Sequence, residues 1–276
     1  MPVIDSHHHF WRYAAAEYGW ISGAMAVLRR DFLPGDLERE IRAAGVDGVV
    51  SVQARQTVAE TEWLLSMAEA SPFIRGVVGW VPLADPGVDE ILARLARHPK
   101  LRAVRHVVQD EPDPGFLLRE EINRGIGRLQ GHGLAYDILI FERQLPQALA
   151  LVDRHPGQVF VLDHIAKPRI RDGAISPWRE RMRELARRPN VWCKLSGVVT
   201  EADWEGWTPA GIRPYLDAAL EAFGSKRVMW GSDWPVCLVA CDYGRWRRTV
   251  EEATAGLTAS EREGILGGNA VAAYRL

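Results

Sequence analysis

Eight short apolar, largely β-branched runs alternate with segments of helical period along this chain, and that alternation limits the fold more than any other feature. The runs fall at residues 3–4, 48–52, 74–80, 101–104, 135–140, 159–162, 191–195 and 228–230. They lack strict polar alternation, which suits strands buried on both faces of a parallel sheet. Helical periods occupy 36–44, 88–97, 116–129, 145–154, 177–187, 209–223 and 245–255. Thr57 to Glu60 and Thr258 to Glu261 read as capping boxes that open two more helices. Eight strand–helix units predict a (β/α)8 TIM-like barrel, spanning 1–276 as one domain. No Gly-x-Gly-x-x-Gly follows a strand, which removes a dinucleotide-binding sheet. Segments 10–33 and 197–208 are too long for turns. Both follow strands, so they are expected as lids over the C-terminal mouth, where such barrels place their chemistry.

The strand ends are rich in polar residues. Asp5-Ser6-His7-His8-His9-Phe10-Trp11 continues the first run, and Gly231-Ser232-Asp233-Trp234-Pro235 continues the last. Side chains alternate along a strand, so His7 and His9 share a face and His8 points away. Three consecutive histidines can be the remnant of a purification tag, but tags sit in small polar sequence and this triplet follows an apolar run. His7, His9, His164 and Asp233 form a set able to ligate zinc, with water at an open position. The same groups work without metal if Asp233 takes a proton from water while the histidines and Arg105 polarise a carbonyl. Arg105 ends the fourth strand, beside His106 and Gln109. Lys194 lies in an apolar strand, where a lysine must be paired or functional; Asp163, Asp233 and a substrate are the partners considered.

Eleven tryptophans is high for 276 residues. Trp11, Trp20, Trp80, Trp204, Trp207 and Trp234 fall in or near loops of the expected catalytic face, where indole faces suit a small cyclic ligand. Trp63, Trp192, Trp230 and Trp246 occupy periodic positions and are assigned to the core. A formal net charge of -2 gives no reason to expect nucleic acid or an anionic membrane as partner. No run reaches the ~18 apolar residues of a spanning helix, and no leader pattern is visible. Cys193, Cys237 and Cys241 are an odd number without a second pair, which fits neither a disulfide framework nor a four-cysteine zinc site. A cytoplasmic location is the expectation.

Five segments resemble the sugar-lactonase branch of the amidohydrolase superfamily, where fuconolactonase- and rhamnonolactonase-type enzymes belong. They are the two strand-end motifs above, Val104-Arg105-His106-Val107-Val108-Gln109, Leu162-Asp163-His164-Ile165-Ala166-Lys167-Pro168 and Lys194-Leu195-Ser196-Gly197. Their order is kept across the chain, and the segment from Glu261 to Ala270 resembles the family's last helix. The resemblance implies a barrel that hydrolyses a small L-fuconolactone-like sugar-acid lactone. In that reading Asp233 acts on water, His164 and Arg105 assist, and His106, Gln109, Lys194, Trp20 and Trp234 bind substrate. The chain departs from two-metal relatives: the fourth strand has no clear bridging Lys or Glu, and the fifth carries Asp137 where a histidine is usual. The resemblance therefore implies one divalent metal ion, zinc first, held by His7, His9, His164 and Asp233, or a site that works without it. A lactonase for carboxylated lactones of aromatic breakdown and a metal-dependent decarboxylase are the alternatives within the same fold.

Overall fold

A computed structural model describes residues 1–276. Eight parallel strands follow one another in chain order: β1 (Ile4–His8), β2 (Gly48–Val52), β3 (Ile74–Gly79), β4 (Leu101–Val107), β5 (Ala135–Leu139), β6 (Phe160–Leu162), β7 (Val191–Leu195) and β8 (Val228–Trp230). The helices are α1 (Pro34–Ala44), α2 (Val58–Ala70), α3 (Val88–Leu95), α4 (Glu120–Leu129), α5 (Leu145–Arg154), α6 (Trp178–Ala186), α7 (Pro209–Phe223) and α8 (Tyr243–Ala253). Each strand is thus followed by a helix, as a (β/α)8 barrel requires. The seam closes just beyond β8. The Asp233 N–H donates to the His7 carbonyl at 2.8 Å and the His9 N–H to the Trp234 carbonyl at 2.7 Å. These closing hydrogen bonds bring the two strand-end motifs side by side.

The apolar runs are buried on both faces. A cluster of 69 buried residues fills the layer between strands and helices. A second cluster, including Val50, Val78, Ala103, Val161 and Met229, plugs the lower barrel interior, where the last helix α10 (Asn269–Tyr274) caps it. Gly267 permits that cap: an added Cβ would meet the Pro2 carbonyl oxygen at 1.9 Å. No helix is long and apolar enough to cross a membrane.

Local chemistry shifts some helix boundaries. The expected helix over 116–129 breaks at Arg119, whose ψ of 140° separates a 3-10 turn (Phe116–Leu118) from α4. α8 starts at Tyr243, two residues early, because the Asp242 side chain caps the Arg245 N–H. At α2, Thr57 caps Glu60 as expected, but the Glu60 carboxylate does not return to Thr57. It accepts instead from the N–H groups of Ala54 and Arg55, at 3.1 and 2.7 Å, and so shapes the loop after β2. The Thr258–Glu261 box forms in full and opens α9 (Ala259–Glu263).

Candidate active site

The first strand sorts its histidines by the period of two. His8 turns outward, its Nε2 2.8 Å from Ser51 Oγ and its ring against Phe10. His7 and His9 turn inward, with their Nε2 atoms 3.2 Å apart. One oxygen of Asp233 lies 3.7 Å from His7 Nε2, 3.4 Å from His9 Nε2 and 4.0 Å from His164 Nε2. The Asp5 carboxylate ties this corner together, accepting from the N–H groups of Ser232 and His7 and from the Tyr243 hydroxyl.

His164 is positioned by an unusual backbone. His164, Ile165, Ala166 and Lys167 have φ of 54, 47, 60 and 46°, four consecutive non-glycine residues in the left-handed region. Each costs about 1–2 kcal/mol relative to the right-handed form, and such strain persists where the surrounding structure fixes it. His164 Nδ1 lies 2.9 Å from Ser196 Oγ, which leaves Nε2 facing Asp233. Gly197 backs the ring: its φ is +58°, and an added Cβ would stand 2.4 Å from His164 Nδ1. Gly197→Ala therefore displaces the imidazole. Misplacement of that size is expected to lower kcat/KM about 10²-fold with the barrel intact. Circular dichroism beside steady-state kinetics checks this, and full activity would remove the ring's position from the mechanism.

Below the histidines lies a buried network. Arg105 donates to Asp163 Oδ2 at 2.9 Å and to the Gln53 carbonyl at 2.5 Å, and its NH1 stands 3.3 Å from His7 Nε2. Lys194 Nζ lies 2.7 Å from Asp137, 2.9 Å from Asp163 and 3.2 Å from His7 Nδ1. Its partners are therefore Asp163 and Asp137, and not Asp233.

Above the histidines opens a cavity of about 840 Å³. His9, Arg105, His164 and Asp233 reach it from the barrel, and Gln109 and Trp20 line its sides. Both long loops supply walls, through Glu17, Trp20 and Met25 and through Thr200, Glu201 and Trp204. Three residues expected to bind substrate lie outside the cavity lining. His106 points away from the barrel interior, paired with Glu111 at 2.6 Å and stacked on Phe116. Lys194 is fully buried beneath the site. Trp234 packs into the core against Phe10 and Phe32. Trp11 and Trp207 are likewise buried, so of the six loop tryptophans only Trp20 and Trp204 line the cavity. Sequence reasoning missed Glu201, Glu17 and Phe141 as wall residues.

The donor set fits one divalent cation. His7, His164 and Asp233 offer ligand atoms all within 4.8 Å of one another, with His9 Nε2 beside them. Bonds of ~2.0–2.1 Å in a tetrahedron separate ligands by ~3.3 Å, close to the 3.2–3.7 Å among His7, His9 and Asp233, with His164 standing 4.0 Å from Asp233. The protonation states also fit. Burial holds His7 well below the ordinary imidazole range and His164 at about 4. Burial alone would raise Asp233, but its neighbours His164 and His9 outweigh it and keep the carboxyl below its usual value. Neutral imidazoles beside an ionised carboxylate are the forms a metal takes. Arg105 and Lys194 already place two fixed positive charges beside His7, and Coulomb repulsion disfavours a second ion there.

A parallel barrel with first-strand histidines meeting an aspartate after the last strand defines a barrel hydrolase. The chain belongs to the amidohydrolase family, whose description matches residues 4–276. It is 45% identical over 284 residues to L-fucono-1,5-lactonase of Burkholderia multivorans, covering 99% of this chain and 96% of that one. It is 39% identical to L-fucono-1,5-lactonase of Burkholderia ambifaria, covering 99% and 95%. Among solved structures, an amidohydrolase from Burkholderia multivorans with bound zinc superposes with a TM-score of 0.97 at 45% identity, covering all of both chains.

Proposed function

We propose that this protein hydrolyses a neutral sugar-acid lactone of the L-fucono-1,5-lactone type to the open-chain hydroxy acid. One observation carries the reading: a single Asp233 oxygen stands 3.4–4.0 Å from three imidazoles at the floor of an open cavity. The similarity to two L-fucono-1,5-lactonases along nearly the whole chain supports it.

His7, His9, His164 and Asp233 are the residues that would hold one divalent ion, zinc by its nitrogen-rich set. A bound ion supplies Lewis-acid polarisation of the carbonyl and a more acidic water. Asp233 accepts a proton from the attacking water as the water oxygen adds to the lactone carbonyl. Arg105, which reaches the cavity while anchored to Asp163 and Gln53, stabilises the charge on the former carbonyl oxygen. The ring C–O bond then breaks, and Asp233 returns its proton to the departing ring oxygen, which leaves as a hydroxyl. Gln109 and Trp20 hold the ring from the sides. The 1–276 span acts as one domain in this reading.

Proton release during turnover of L-fucono-1,5-lactone and of a galactono-lactone tests the proposal. The expected result is hydrolysis of both, faster for the fucono compound. Elemental analysis and zinc titration after chelation are expected to return about one ion per chain. A protein that opens neither lactone at rates above the uncatalysed reaction would overturn the reading.

A further inference from the structure

The left-handed segment after β6 places a second side chain in the cavity. Lys167, its last residue, reaches the lining with its Nζ 3.7 Å from Glu201 Oε1, beyond hydrogen-bond length. The two side chains are 16% and 21% exposed, and neither makes a hydrogen bond to another protein group. The remaining cations of the cavity are committed. Arg105 is anchored to Asp163 and the Gln53 carbonyl, and Arg55 pairs with Glu17 at 2.5 Å. Lys167 and Glu201 therefore present an ammonium and a carboxylate, partly desolvated and with unused capacity, on one wall. Phe141 and Trp204 add apolar surface to the same cavity, and the Lys167 ammonium lies 5.5 Å from the Phe141 ring centre.

We propose that Lys167 and Glu201 are a specificity-determining pair that binds one ring hydroxyl of the lactone and disfavours rings bearing a carboxylate at that position. A hydroxyl donates and accepts through one atom. An oxygen ~2.8 Å from each partner closes a triangle on the 3.7 Å side, accepting from Lys167 and donating to Glu201. A carboxylate there gains one cation but meets the Glu201 anion, so the pair gives it no net attraction. Phe141 and Trp204 suit the C–H faces of the same ring. The inference rests on the sugar-lactone reading above and names how that site tells lactones apart.

The test compares wild type, Glu201→Gln and Lys167→Met on L-fucono-1,5-lactone, on its deoxy analogues with one ring hydroxyl removed at a time, and on a ring lactone carrying a carboxylate. Both variants are expected to lose about 10- to 100-fold in kcat/KM on the parent lactone, mostly through KM, as for a lost hydrogen bond to a charged group. For one deoxy analogue the three proteins should agree within about twofold, because the hydroxyl the pair reads is missing. Glu201→Gln should raise kcat/KM for the carboxylated lactone relative to the parent. If wild type opens the parent but the variants lose as much on every deoxy analogue, the pair is merely structural and this inference falls alone. If wild type opens no hydroxylated lactone, the lactonase reading falls and takes the inference with it.

Discussion

Replacing Asp233 by Asn is expected to leave the barrel folded and to reduce lactone hydrolysis by about 10²–10⁴-fold, the usual worth of a positioned general base. The backbone reason for choosing asparagine is specific. Asp233 has φ +56°, and asparagine is the residue besides glycine that best tolerates this conformation. Its closing hydrogen bond runs from the main-chain N–H to the His7 carbonyl, so the seam survives the substitution. What disappears is the basic carboxylate charge facing three imidazoles. Loss of kcat with little change in KM is the expected pattern, because the carboxylate acts on the water more than on the ring. If zinc binding weakens in parallel, Asp233 also serves as a ligand. A variant with near-normal kcat/KM would remove Asp233 from the chemistry.

The sequence was informative where burial repeats and poor where contacts cross the barrel. Strands of a parallel sheet are covered on both faces, so β8 stands out as a continuous apolar run, and β2 and β7 as apolar runs broken only by Ser51 and Lys194. The period of two separated His8 from His7 and His9. The same period excludes His106 from the interior once Arg105 is placed inside. Lys194 was recognisable as a buried cation, but its partners Asp137 and Asp163 lie on two other strands, and nothing local specifies them. The left-handed run from His164 to Lys167 contains no glycine to mark it. Glu201 sits in a loop whose position depends on packing against its neighbours, so its place opposite Lys167 appears only in three dimensions.

The buried network under the site predicts the largest stability effect. Lys194→Met is expected to cost about 3–5 kcal/mol, the range for removing one partner of a fully buried ion pair. The lysine is shared by two carboxylates, and their ordinary titration is displaced in opposite directions. Burial pushes both up. For Asp163 the charges of Lys194 and Arg105, with the hydrogen bond from His7, overcome that push and hold it well below its usual value. Asp137 has only Lys194 and the Tyr274 hydroxyl, so burial prevails and its pKa sits at about 6. Without Lys194 both values rise, and Asp137 has no cation left. A carboxyl whose folded pKa exceeds its unfolded value binds more protons when folded, so its contribution to stability falls as pH rises from the unfolded value to the folded one. The deficit of Lys194→Met should therefore grow as pH rises above about 6, where Asp137 ionises beside the lysine but resists ionisation without it, and be smaller at pH 5, where it is protonated in both proteins. Urea denaturation at pH 8 and pH 5 measures this through the midpoint, with the slope held in common. Adding Asp137→Leu should recover part of the loss at pH 8, because the unpaired charge is then gone. Equal deficits at both pH values, with no recovery in the double variant, would mean that the lysine contributes packing and not charge.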